Sequence, residues 1–160
     1  MERNSIVRAK CIIMGEAGAG KTSLVQAFVQ AAQIPKNYNM TQGVDIQTKK
    51  IKVPDTSTTI ELFLYDCAGK AYYRDLVLKM IKNASGVRNV KGVLYGNKTE
   101  LVNRRVVSPK AGHDLAQTLG LVYFEGSAKD NKDVEEPFYY MVNEWFKTYT
   151  DKTQSIKMVT

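Results

Sequence analysis

At 160 residues the chain can bury the core of one domain without metal or disulfide staples, and its two cysteines, Cys11 and Cys67, sit in apolar strand-like surroundings without metal-ligand spacing. No apolar run approaches the ~20 residues that a membrane helix needs, and the start MERNSIVRAK lacks the apolar core of a secretory signal. A net charge of +7 could serve nucleic acid or an anionic membrane, but the basic residues are scattered, densest at Lys49, Lys50 and Lys52, and describe a solvated surface that tolerates an anionic ligand.

Residues 8–14 end in Cys11, Ile12, Ile13 and Met14 and predict a buried strand; Leu24, Val25, Phe28 and Val29 recur at helical spacing and predict a helix over 20–32, stopped by Pro35. Between them stands GEAGAGKT, which fits the GxxxxGK[ST] pattern of a phosphate-binding loop in the strand-loop-helix context that the pattern requires. Glycine is needed because the backbone must wrap phosphate oxygens with its N–H groups inward. Gly15, Glu16, Ala17, Gly18, Ala19, Gly20, Lys21, Thr22 and Ser23 are therefore the candidate phosphate-binding residues. Lys21 would neutralise the β- and γ-phosphates and the Thr22 hydroxyl would ligate Mg²⁺, with the helix dipole adding to both.

An aperiodic loop over 37–45, containing Thr41, leads into alternating Val44, Ile46 and Thr48. A turn at Val53-Pro54-Asp55-Thr56-Ser57 and alternating Ile60, Leu62 and Leu64 predict an antiparallel hairpin, whose return strand, apolar on both faces, should be central. It ends in Asp66-Cys67-Ala68-Gly69. A carboxylate there can hold Mg²⁺ through water, and Gly69 can bring its N–H to a γ-phosphate.

Tyr73, Leu76, Val77, Met80, Ile81 and Ala84 predict an amphipathic helix, and Val90 to Tyr95 a strand followed by Gly96-Asn97-Lys98-Thr99-Glu100. Ser108 as N-cap and Pro109 at the first helical position open another helix that runs to Gly120 and carries His113 as an ordinary exposed residue. Leu121 to Phe124 is a last strand before Gly126-Ser127-Ala128-Lys129. The final helix puts Val134, Phe138, Met141, Val142, Trp145 and Tyr149 on one face as core, with Pro137 tolerated near its start.

GEAGAGKT, the loop Thr41, DCAG, NKTE and GSAK in this order resemble the small GTPases of the Ras superfamily, over nearly the whole chain, and TQGVD and YGNKTEL are similar to its Rab branch. VPDT, ELFLYDCAGK, GNKTEL and EEPF resemble more closely the Rab-like subunits of intraflagellar transport. The resemblance implies an α/β P-loop G domain over 1–150 with a short tail at 151–160: a mostly parallel sheet, one antiparallel edge strand and helices on both faces. It implies GTP or GDP with Mg²⁺ as cofactors, guanine held by Asn97, Lys98, Glu100, Ser127, Ala128 and Lys129, metal contacts from Thr22, Thr41 and Asp66, and Lys21, Thr41 and Gly69 at the reacting phosphate. It also implies membership of the intraflagellar transport complex, pairing with intraflagellar transport protein twenty-five, and a place in the cytoplasm and the cilium or flagellum.

Three departures from the family pattern qualify this expectation. Lys70 follows DCAG where the family has a glutamine that orients the attacking water; an ammonium donates hydrogen bonds but cannot accept one, so slow GTP hydrolysis is expected. DKTQSIKMVT has no cysteine and residue 2 is Glu2, so no direct lipid anchor is expected, and recruitment would run through partner proteins. Asp66 and Asn97 lie 31 positions apart, about half the family's interval, so only one helix fits between them; a shortened chain predicts five strands, with 90–95 beside the phosphate-loop strand, and an omitted segment predicts six. A vesicle-cycling Rab-type GTPase, a non-hydrolysing G-domain subunit and an ATP-directed P-loop kinase are the other readings, and NKTE with GSAK speaks against the kinase.

Overall fold

The computed structural model describes residues 5–30, 40–70, 73, 75, 79 and 91–157, the side chains of 156 and 157 excepted. Alternation along one segment sets its architecture: Ile60, Leu62 and Leu64 are buried on one side of a strand, while Glu61, Phe63 and Tyr65 on the other stay half-buried. That strand, β3 (Thr58–Cys67), lies between β1 (Ser5–Ile13), which it pairs in parallel, and β2 (Val44–Lys52), which it pairs antiparallel. The hairpin and the central position follow the sequence expectation. Asp55 turns the hairpin at φ 56°, a left-handed conformation that Asp tolerates better than most residues.

α1 (Lys21–Gln30) lays Leu24, Val25, Ala27 and Phe28 on the buried face of this sheet. Phe28 then stacks at 4.0 Å on Phe138 of α3 (Glu136–Lys157), so both helices close the same core. Pro137 is the second residue of α3, where its missing N–H costs nothing. α3 runs to Lys157, into the segment expected to be tail. Tyr149, expected in the core, is 39% exposed and rests instead on the Trp145 ring at 5.2 Å.

The second layer is smaller. β4 (Val93–Gly96) and β5 (Val122–Glu125) pair in parallel over four residues, with α2 (Pro109–Thr118) on one face and α3 on the other. Tyr123 faces α2, where a Cβ on Gly112 would lie 2.4 Å from its ring, and Phe124 meets Tyr140 of α3 at 5.6 Å. Ser108 caps α2 by accepting the Ala111 N–H at 3.2 Å. A short 3-10 turn, Val102–Arg104, follows β4 without having been legible as an element.

The five strands among the described residues therefore form two sheets, β1–β3–β2 and β4–β5, rather than one. The strand expected beside β1 starts at Val93 and hydrogen-bonds to β5 alone, leaving the second edge of β1 and of β4 unpaired among the described residues. With only 31 positions between Asp66 and Asn97, the described segments supply no strand to join the two edges. Of the helix expected over 73–84 only 73, 75 and 79 are described, with Asp75 and Lys79 helical, and residues 37–39 of the expected loop lie outside the described residues.

Candidate guanine-nucleotide site

Parallel pairing sets the turns after β1 and β3 side by side, and likewise those after β4 and β5, and hydrogen bonds from Asn97 to Ala19 and Gly20 bring the two pairs to one rim. The loop after β1 takes left-handed backbone at Gly18 (φ 77°) and Gly20 (φ 88°), which L side chains rarely adopt. Close approach adds a second requirement: a Cβ on Gly20 would lie 2.4 Å from Asn97 Nδ2, and one on Gly69 2.4 Å from the Ala17 backbone nitrogen. The Lys21 ammonium folds back over the loop and donates to the carbonyls of Gly15 and Glu16 at 2.9 Å each.

Thr22, Thr41 and Asp66, the three expected metal ligands, lie within hydrogen-bond distance of one another. The Thr22 hydroxyl donates to Asp66 Oδ2 at 2.5 Å and lies 2.8 Å from the Thr41 hydroxyl, which itself is 3.4 Å from the same carboxylate oxygen. Asp66 is fully buried, and its Oδ1 is, among the described residues, the one buried side-chain polar atom without a hydrogen bond. Burial pushes its pKa up, opposed by the Thr22 hydrogen bond, the Lys21 charge and Thr41; the neighbouring Asp45 charge pushes it further up. An orphaned carboxylate oxygen beside two hydroxyls is a hard, all-oxygen donor set of the kind that suits Mg²⁺. Asp45, which the sequence reading did not single out, stands opposite Asp66 across β2 and β3; its signal was the TQGVD stretch that aligns it with the strand.

The residues expected to hold the base meet this loop from the other sheet. Asn97 donates to the carbonyls of Ala19 at 3.0 Å and Gly20 at 3.4 Å, while its Oδ1 accepts the Ala128 N–H at 3.1 Å. One side chain thus ties the phosphate loop to the Ser127-Ala128-Lys129 loop. Lys98, at φ 70°, donates to the Gly18 carbonyl at 2.5 Å. Ser127, buried, donates to Glu100 Oε2 at 2.5 Å and accepts the Asp130 N–H at 3.0 Å. Lys129 is exposed at the rim, as is Lys70 after Gly69. Both cysteines are free; burial raises the Cys11 thiol to about 12 and also raises Cys67, so neither is a ready thiolate.

A Ras family model matches residues 10–88 and 77–147. The chain is 34% identical to the Bos taurus intraflagellar transport protein 27 homolog, over 91% of this chain and 94% of that protein. It is 28% identical to the Chlamydomonas reinhardtii intraflagellar transport protein 27, over 94% and 90%, and 32% identical to the Dictyostelium discoideum Ras-related protein Rab-7a, over 82% and 79%. The bovine match spreads about 146 residues of this chain over 175 positions, so about 29 positions of the relative have no counterpart here. The two matched segments of the family model share residues 77–88, inside the short interval between Asp66 and Asn97. With this coverage, and with the P-loop, DCAG, NKTE and GSAK turns gathered on one rim, the chain belongs to the Ras family and folds as a Ras-like small G domain.

Proposed function

We propose that this chain binds GTP and GDP with Mg²⁺, hydrolyses GTP slowly, and works as a Rab-like subunit of the intraflagellar transport complex in the cytoplasm and cilium, paired with intraflagellar transport protein twenty-five. The observation that carries the nucleotide reading is the Asn97 side chain, which joins the Ala19 and Gly20 carbonyls to the Ala128 N–H. Phosphate and base residues therefore belong to one site. In this reading the N–H groups of 15–20 and Ser23 and the Lys21 ammonium bind the phosphates, and Thr22, Thr41 and Asp66 hold the metal, which supplies charge neutralisation between phosphates when bound. Gly69 and Thr41 approach the γ-phosphate. Asn97, Lys98, Glu100, Ser127, Ala128 and Lys129 surround guanine, with Glu100 accepting from its N–H groups; adenine would leave that carboxylate poorly paired.

Slow hydrolysis rests on Lys70, which cannot accept a hydrogen bond from an attacking water, so positioning is the missing contribution. The transport role rests on the names of the bovine and Chlamydomonas relatives. Extracting nucleotide from purified protein tests the reading: GDP or GTP at near-equimolar occupancy is expected, whereas adenine nucleotide or an empty protein that takes up neither would contradict it.

A further inference from the structure

Nucleotide binding does not account for the apolar surface around α2. Leu101, Val102, Val106, Val107, Leu115 and Leu119 are 40 to 95% exposed, all within one short stretch of chain. Single exposed apolar residues are ordinary, but a contiguous group on a small domain marks a contact surface. Four of them, Leu101, Val106, Val107 and Leu115, line a groove of about 450 Å³ whose floor is Leu94 of β4 and Tyr123 of β5. Side chains form its walls, which suits the apolar stripe of a helix better than the backbone of an added strand.

The charges of the groove select the partner. Its lining carries Lys98, Arg104 and Arg105 against one acid, Glu125. Glu125 is already engaged: Arg105 grips both its oxygens, at 3.0 and 3.2 Å, and the Tyr123 hydroxyl donates to it at 2.8 Å. Lys98 is turned toward Gly18. Arg104 is exposed and has no ion pair among the described residues, which leaves a cation at the groove without a carboxylate. Gly96, Asn97, Lys98 and Thr99 also line the groove, so an occupant would lie beside the NKTE loop.

We propose that this groove docks an amphipathic helix of a partner protein, apolar along one stripe and acidic beside it. None of the groove's apolar residues belongs to the nucleotide site, but Asn97 and Lys98 of that site also line the groove, so helix binding and nucleotide content are measured separately. A fluorescein-labelled designed helix of about eighteen residues, roughly 27 Å long, with leucines at i, i+3, i+4 and i+7 and flanking glutamates, is the probe. Fluorescence anisotropy should show binding about tenfold tighter than that of the same peptide with lysines for glutamates, and of a scrambled peptide. Val106→Asp should weaken it at least about tenfold, and Arg104→Glu should abolish the preference for the acidic peptide. Both positions are exposed, and unchanged nucleotide content in the two variants would show that they fold. No binding of the acidic helix to the unmodified protein, or equal binding of the scrambled one, overturns the proposal. So does concentration-dependent dimerisation abolished by Val106→Asp, which would make a second copy of this chain the occupant.

Discussion

The sheet that carries the phosphate loop is paired over nine residues on each side of β3 and buries the inward side of β3 from Ile60 to Asp66, whereas the sheet that carries the expected base loops is paired over four residues and has no fully buried position in either strand. The first is a core element and the second an attachment. No ladder of backbone hydrogen bonds joins them among the described residues; they meet through Asn97 and Lys98 reaching the phosphate loop and through α3, which packs on α1 by Phe138 and on β5 by Tyr140. Local stability follows the density of buried contacts, so the base end should open at lower cost than the phosphate end, and whatever bridges the two should change that balance.

The largest way to sharpen the contrast is in the core. Phe28→Ala, at a fully buried ring stacked on Phe138, should cost about 3–5 kcal/mol in denaturant unfolding. Phe124→Ala, half-buried on β5, should cost less than half as much; equal losses would erase the distinction. Asn97→Ala removes the contacts that join the two sheets at the site, and should weaken GDP binding by about tenfold to a hundredfold, about 1–3 kcal/mol, measured by competitive titration.

A change at the phosphate end should alter chemistry with little effect on affinity. Lys70→Gln restores an acceptor for water and should raise single-turnover GTP hydrolysis about tenfold; rapid hydrolysis by the unmodified protein would remove the reason for this expectation. At the base end, Glu100→Asp shortens the carboxylate by one methylene and should tighten GDP binding only a few-fold, about 1 kcal/mol at most. Unchanged or weaker affinity would mean that Glu100, held by Ser127, already fits the base.

The smallest effect lies on the rim of the attached sheet. The Arg105 hydrogen bonds, and then that from Tyr123, hold the Glu125 carboxyl below its ordinary value. A depressed carboxylate contributes stability that is present above its unfolded pKa of about 4.3 and is lost as pH falls through the lower folded value. Glu125→Gln should therefore be slightly less stable than the unmodified protein near neutrality, with the difference closing in acid; a gap that widens on acidification would reverse the sign.

Much of the phosphate half was legible because its signals are local. The glycines of the loop, the alternation of Ile60, Leu62 and Leu64, and the DCAG turn each dictate their own backbone, and parallel pairing then brings Thr22 and Asp66 together. The base half depends on distant contacts. That Asn97 would reach Ala19 and Gly20 follows from how two sheets sit together, which no short pattern encodes. The split of the sheet was foreshadowed only by a spacing, the 31 positions from Asp66 to Asn97, and the bovine relative has about 29 positions without a counterpart here. Tyr149 fits the helical apolar stripe of α3, yet it stays exposed against the Trp145 ring, an outcome that the spacing alone does not distinguish from burial. Tyr123 and Glu125 share one face of β5 at i and i+2, but Arg105 reaches them from the segment leading to α2, a contact that no short pattern announces.

Amide hydrogen exchange with and without GDP and Mg²⁺ tests most directly whether the two halves are joined through the nucleotide site. Protection of 93–96 and 122–125 should rise by an order of magnitude or more with GDP, following the linkage between binding and local opening, while β3 changes little and ADP has no effect. Base-sheet amides already protected as strongly as β3 without nucleotide, or equally by ADP, would contradict it.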